Sequence, residues 1–316
     1  MVSDQIIQWL LEGDVAIQYQ VQRDLLGQEN PALRKRIATE GWGLRFLQAR
    51  HDNGHWGRGF YQPKWISTHY TLLDLKHLGL LPDHPAPHES IKIILQENKG
   101  EDGGINPAKT IIQSDVCVNG MFLNYACYFK VDQAPLHSIV DFLIAQQMPD
   151  GGFNCEANRR RTVHSSLHST ISVLEGIREY MVNGYEYRRE KLTQIAAASR
   201  EFILQHYLFR SDHTGEIIDK HMLMLSYPSR WRYDILRALD YFQVAGISYD
   251  PRIQPALDVL LQKRRKDGTW PVQAKHPGQT HFDMEKTGAS SRWNTLRALR
   301  VLQHFSVAIR DLAEEP

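Results

Sequence analysis

Residues 103–126 read GGINPAKTIIQSDVCVNGMFLNYA, and residues 151–177 read GGFNCEANRRRTVHSSLHSTISVLEGI. The two segments are copies of one unit: a glycine-rich turn, a loop, then a run with an apolar or small residue at every third position. One series runs Cys117, Gly120, Leu123, Ala126, and the other runs His168, Ile171, Leu174, Ile177. A period of three to four residues predicts helices. If these helices are parallel neighbours, Cys117 and His168 begin them at equivalent points and face one space, an arrangement that suits a metal ion.

The unit recurs along the chain. Turns of the form Gly-x-aromatic follow a glutamine at Gln48 to Gly54-His55-Trp56, at Gln147 to Gly151-Gly152-Phe153, and at Gln262 to Gly268-Thr269-Trp270. Weaker copies run from Gln96 to Gly103-Gly104-Ile105 and from Gln205 to Gly215-Glu216-Ile217. After each turn the helical spacing returns, from His69 through Leu72, Leu75 and Leu78, from Tyr233 through Leu236, Leu239 and Phe242, and from Trp293 through Leu296, Leu299 and Leu302. Strand-like alternation is absent at any useful length, so the fold class is all-α. A lone helical hairpin would leave an apolar face in water, so the units must stack. Residues 1–40 read as an N-terminal helical extension packed on the repeats, with two short helices in 4–27 and a third beginning at Pro31, where the missing N–H costs nothing. Residues 41–316 carry about five repeats.

Composition narrows the function classes. The chain has 316 residues, 42% of them hydrophobic, enough for a large core. A net charge of +1 gives no global field for nucleic acid or an acidic membrane. No apolar run approaches the ~18 residues of a membrane span, so no integral membrane segment is expected. Three cysteines, Cys117, Cys127 and Cys155, are too few for a disulfide framework, and with no signal-peptide pattern at Met1–Gly13 the expected location is cytoplasmic.

The turn Gln-x(3 to 5)-Gly-x-aromatic and its following helix resemble the repeat of the prenyltransferase and squalene cyclase superfamily, over about residues 42–305. The resemblance implies an α/α toroid, a ring of inner and outer helices, with a sixth hairpin lacking unless residues 4–40 supply it. In such a ring His69, Cys117, His168, Tyr233 and Trp293 start successive inner helices at one rim. The site pattern is similar to the β subunit of protein prenyltransferases, where an Asp-x-Cys and a histidine one repeat later bind zinc. The resemblance therefore implies Asp115, Cys117 and His168 as catalytic zinc ligands, with His164, Cys155 and His69 as alternates. Thiolate, imidazole and carboxylate together suit zinc with one open position. It also implies transfer of an isoprenoid from its diphosphate to a thiol or other small nucleophile, with Arg159, Arg160 and Arg161 on the diphosphate. Tyr70, Trp231, Tyr233 and Trp293 would line the cavity against a hydrophobic substrate. An α-type partner subunit is left open.

Each residue also has a plainer reading. Cys117 and Cys127 suit a packed core, Cys155 suits a structural turn, Asp115 suits a helix cap, and the arginine run suits a solvated loop. The Asp-rich acid motif of protonation-initiated cyclases is missing, which leaves isolated acids such as Asp234, or Asp283 with His281, for terpenoid cyclase-like chemistry. A metal-free toroid that only binds an isoprenoid or lipid is the further alternative. A carbohydrate-active barrel would use paired carboxylates, and Glu156, Glu216, Asp234 and Asp283 show no recognisable pair spacing.

Overall fold

A computed structural model describes residues 3–108, 110–156, 160 and 162–307. Among these residues the elements are α-helices joined by turns, with one antiparallel pair of two-residue strands, Trp270–Pro271 with Ser290–Ser291. The helices are α1 (Asp4–Leu11), α2 (Val15–Leu25), α3 (Pro31–Arg36), α4 (Gly41–Gln48), α5 (Thr68–Leu78), α6 (Pro85–Glu97), α7 (Val116–Tyr128), α8 (His137–Ala145), α9 (Leu167–Val182), α10 (Arg189–Gln205), α11 (Ile235–Val244), α12 (Gln254–Gln262) and α13 (Arg292–His304).

The turns show why the repeat has its glycine. Gly54, Gly103, Gly151, Gly215 and Gly268 all have φ between +71° and +92°. This left-handed region costs a residue with a Cβ about 1 kcal/mol or more. Around four of these glycines a short bond closes the turn, as from the Met148 N–H to the Gly152 carbonyl (3.0 Å) and from Arg265 to Thr269 (2.8 Å). The next residue is then tied to the following helix: the N–H groups of Trp56, Phe153 and Trp270 donate to the hydroxyls of Thr68, Thr170 and Thr295 (2.9 to 3.0 Å), and that of Ile105 donates to the Asn119 side chain (2.6 Å). Trp56 and Trp270 also donate their indole N–H back to the helix just ended, at Phe46 and Leu260. Each turn thus fixes the aromatic anchor and the start of the next helix together.

The aspartate before the glycine adds a tie that the spacing alone did not suggest. Asp102 accepts from the Ser114 N–H and hydroxyl (2.7 and 2.8 Å), and Asp150 accepts from those of Ser165 (2.8 and 2.5 Å). The loop is pinned just ahead of α7 and α9.

The helices starting at these ties neighbour one another in order: α5 packs on α7, α7 on α9, α9 on α11, α11 on α13, and α13 on α2. From α2 the Gln20 amide donates to the His77 and Leu78 carbonyls (2.9 and 3.3 Å) at the end of α5. The connecting helices α4, α8, α10 and α12 pack against α5, α7, α9 and α11, and α1 packs against α2. The expected N-terminal helices form as α1, α2 and α3, and Pro31 occupies the first turn of α3.

The closest pair is α7 with α9. They run in the same sense, since Gly120 faces Ser172 while Leu123 faces Gly176. A Cβ on Gly120 would come within 2.6 Å of the Ser172 carbonyl, and one on Gly176 would collide with the Gly120 carbonyl. Glycine is required here for space. Gly176→Ala should therefore lower stability by about 1–3 kcal/mol or more in denaturant titration, because the obstacle is backbone that cannot rotate away.

Candidate functional site

The expected register is largely present. His69, Cys117, His168 and Trp293 are each the second residue of α5, α7, α9 and α13, while Tyr233 lies two residues before α11. Among the described residues no group of three or more His, Cys, Asp or Glu stands where it could hold an ion, so the metal site expected at this register finds no support there. His168 shows why. Its Nδ1 accepts the Tyr233 N–H at 2.7 Å, so in the neutral ring the proton sits on Nε2 and neither nitrogen has a lone pair to offer. Burial, with Arg237 and Arg232 nearby, pushes its pKa down to about 4, and its ring lies 5.3 Å from that of Trp231.

The alternates separate as well. His164 lies outside the helix, which begins at Leu167, so it does not share a face with His168; it is exposed beside His213. His69 is fully buried among Phe60, Tyr61, Tyr70 and Tyr125, with Nδ1 at 3.2 Å from the Tyr125 hydroxyl, and burial pushes it down to about 3. Arg160 is exposed and pairs with Glu156 at 3.4 Å, while Arg159 and Arg161 lie outside the described residues.

Cys117 and Cys155 do meet. The Cys117 N–H donates to Cys155 Sγ (3.1 Å), and the Ser169 hydroxyl donates to the same sulfur (3.4 Å). Hydrogen bonding between the two thiols and burial raise Cys117, whereas the hydrogen bond from Cys117 lowers Cys155. Cys127 is fully buried in the core, as its plain reading required.

A large cavity lies elsewhere. It encloses about 680 Å³ and is lined from all of α2, α5, α7, α9, α11 and α13, mostly by their C-terminal halves. Of the aromatic residues expected in the wall, Trp293 lines this cavity and Tyr233 lines a smaller one of about 310 Å³, with Asp234, His168 and His276. Tyr70 and Trp231 line neither. Tyr70 instead packs against Trp65, Tyr61 and His69.

The wall of the large cavity is charged. Arg237 makes a two-pronged pair with Glu175 (2.7 and 2.8 Å); Arg300 makes another with Asp240 (2.6 and 2.7 Å) and reaches Asp24 (3.1 Å); and Arg297 also contacts Asp240 (3.1 Å). Lys76 and Arg178 share Glu179 (3.2 and 2.7 Å), and Arg23 pairs with Asp24. Arg230 reaches past the wall to buried Asp74 at 2.5 Å, and Arg34 bonds the Gly79 carbonyl and the Tyr128 hydroxyl. Eight cationic side chains thus line the cavity beside four carboxylates, and six of the eight pair with those four. Burial would raise the Asp240 carboxyl, but Arg300 and Arg297 outweigh it and hold it down at about 2.

The sequence signal for this wall lies seven residues beyond the helix starts. Lys76, Glu175, Asp240 and Arg300 of the wall stand at that distance from His69, His168, Tyr233 and Trp293, and Asn124, at the same distance from Cys117, is polar too but does not line it. Two helical turns return to the same face, so a polar residue there interrupts an otherwise apolar stripe at one level of every helix. The isolated acids fare differently: Asp234 caps α11 and burial raises it to about 6, whereas Asp283 is exposed and pairs with Lys275, and His281 bonds Thr71 at 2.9 Å.

No known family profile matches the sequence, and no curated protein matches it. Among solved structures the chain is similar to the apo type II terpene cyclase MstE from Scytonema, at 12% identity and a TM-score of 0.37, over 85% of this chain and 96% of that one. No described helix is long and apolar enough to cross a membrane.

The buried charges set two expectations. Asp240→Ala strands Arg297 and Arg300 and should cost about 3–5 kcal/mol in denaturant titration. The pH dependence runs the same way for both groups of titrating residues. His69 at about 3, and His168, His276 and His281 at about 4, lie below their unfolded values, so their contribution is full above pH 6.5 and is lost as pH falls toward 4. Asp240 adds a loss between about pH 4 and pH 2. Asp234, raised to about 6, works in the opposite sense as pH falls from 6 toward 4, but the four histidines outweigh it, so the melting temperature should fall from pH 7 to pH 4 and His69→Gln should flatten part of that slope.

Proposed function

We propose that this chain is a six-hairpin α/α toroid that binds a polar small molecule inside its ring, with α1 and α2 as the sixth hairpin and no zinc centre at the rim. The ring reading is supported by the order of neighbours from α5 round to α2 and by the Gln20 bonds back to α5. The observation that carries the function is the cavity of about 680 Å³ lined from all six helices, a volume suited to a small organic ligand.

The chemistry of the wall favours a polar occupant over an isoprenoid chain. Its aliphatic side chains are only Pro82, Val182 and Val244, and a hydrocarbon placed among the arginines and carboxylates would strip their hydration without replacing it. Zinc-dependent prenyl transfer has less support still, because the His168 ring nitrogens are committed and its proposed partners do not converge on it.

Two measurements test this. Val244 lies at the cavity and is half-exposed, so Val244→Trp should obstruct the cavity without disturbing the core. A thermal-shift screen of polar small molecules should give stabilisers of the wild type that fail on Val244→Trp. Elemental analysis of untagged protein should show no stoichiometric zinc. About one zinc per chain, lost in both Cys117→Ala and His168→Ala, would overturn the reading in favour of the metal transferase.

A further inference from the structure

Three polar atoms in the cavity wall lack a partner. Arg297 Nη1, the Tyr227 hydroxyl and Gln243 Oε1 are each buried and make no hydrogen bond to any described residue. Two of them belong together: Arg297 and Arg230 both act electrostatically on Tyr227, whose ring lies 4.8 Å from that of Trp293. Buried donors are almost always satisfied, so unpaired ones that line a cavity mark where a ligand's acceptors belong.

The surrounding charge indicates the kind of acceptor. The C-terminal ends of the six helices carry partial negative charge, which accounts for part of the cationic lining. It does not account for donors that find no acceptor even there. Asp240 is already shared by Arg297 and Arg300, and of the two carboxylates that act on Tyr227, Asp74 holds Arg230 and Glu285 accepts from Ser291 and the Trp293 N–H, so none of the three bonds Arg297 Nη1 or the Tyr227 hydroxyl. Guanidinium groups and a phenol facing one space match oxygens of phosphate or of clustered carboxylates, which accept several donors at once.

We infer that the cavity is a binding site for a compact organic polyanion, a phosphate ester or polycarboxylate, seated on Arg297 and Tyr227 and flanked by Trp293. This rests on the cavity-binding reading above and names its ligand class.

The test is isothermal titration of the full chain at low salt with pyrophosphate and citrate as probes, and with sucrose and spermidine as neutral and cationic controls. The anions should bind, with affinity falling as salt is added, and the controls should not. Tyr227→Phe removes a hydroxyl that holds nothing together in the free protein, so its melting temperature should match wild type while anion affinity drops about tenfold. Arg297→Lys should retain part of the affinity that Arg297→Met loses. Equal anion affinity in Tyr227→Phe, or binding of sucrose or spermidine instead of the anions, would overturn the polyanion inference while leaving the cavity reading in place. If nothing binds and Val244→Trp is also silent in the screen, both fall. Preference for pyrophosphate over citrate, or the reverse, would identify which of the two anion chemistries the site takes.

Discussion

A left-handed backbone residue at the end of each connecting helix is the constraint on which the fold depends. Gly54, Gly103, Gly151, Gly215 and Gly268 each reverse the chain in a space where a Cβ is penalised. Behind four of them comes an anchor, Trp56, Ile105, Phe153 or Trp270, whose N–H is taken by a side chain of the next helix. Turn conformation, core anchoring and helix start are therefore set together at each repeat. Stacking then follows, since a helix begun at a fixed point presents its apolar stripe at a fixed height. Where α7 and α9 meet, Gly120 and Gly176 allow the backbones nearly to touch.

The same stacking creates an electrostatic problem. The C-terminal halves of these helices supply most of the cavity lining, and their carbonyl ends bring partial negative charge to that space. Lysine and arginine side chains of the lining answer it, and those cations draw carboxylates of their own, most tightly at Asp240. The result is an ion-paired chamber where an oily one was expected. That difference in lining is what the proposed recognition of a polar molecule rests on.

At the opposite level His168 and Tyr233 border the smaller cavity, while His69 is packed in. His69 sits in a box of aromatic rings with no cation or carboxylate bonded to it, and His168 spends its acceptor nitrogen on a neighbouring backbone. Cys117 and Cys155 come together across the loop, which fits the reading of Cys155 as a turn residue with a sulfur that also accepts bonds. Side chains of metal-binding type are present, and those of His168 and Cys155 accept bonds from protein partners.

The all-α class, the turn positions, the glycine and aromatic punctuation and the helix registers were legible in the sequence, because each follows from local rules. A left-handed turn requires glycine, and a buried helical face requires apolar residues at a period near 3.6. Three-dimensional packing alone decided the rest. The position of Gln20 against α5 depends on contacts more than fifty residues apart. Whether His168 ligates a metal depended on the placement of Tyr233, sixty-five residues away along the chain. The polar stripe at Lys76, Glu175, Asp240 and Arg300 was written in the sequence, but a charge on a helix reads as solvent-facing until neighbouring helices enclose it. Local preference is encoded residue by residue, while a cavity exists only between elements and takes its chemistry from whichever side chains the packing turns toward one another.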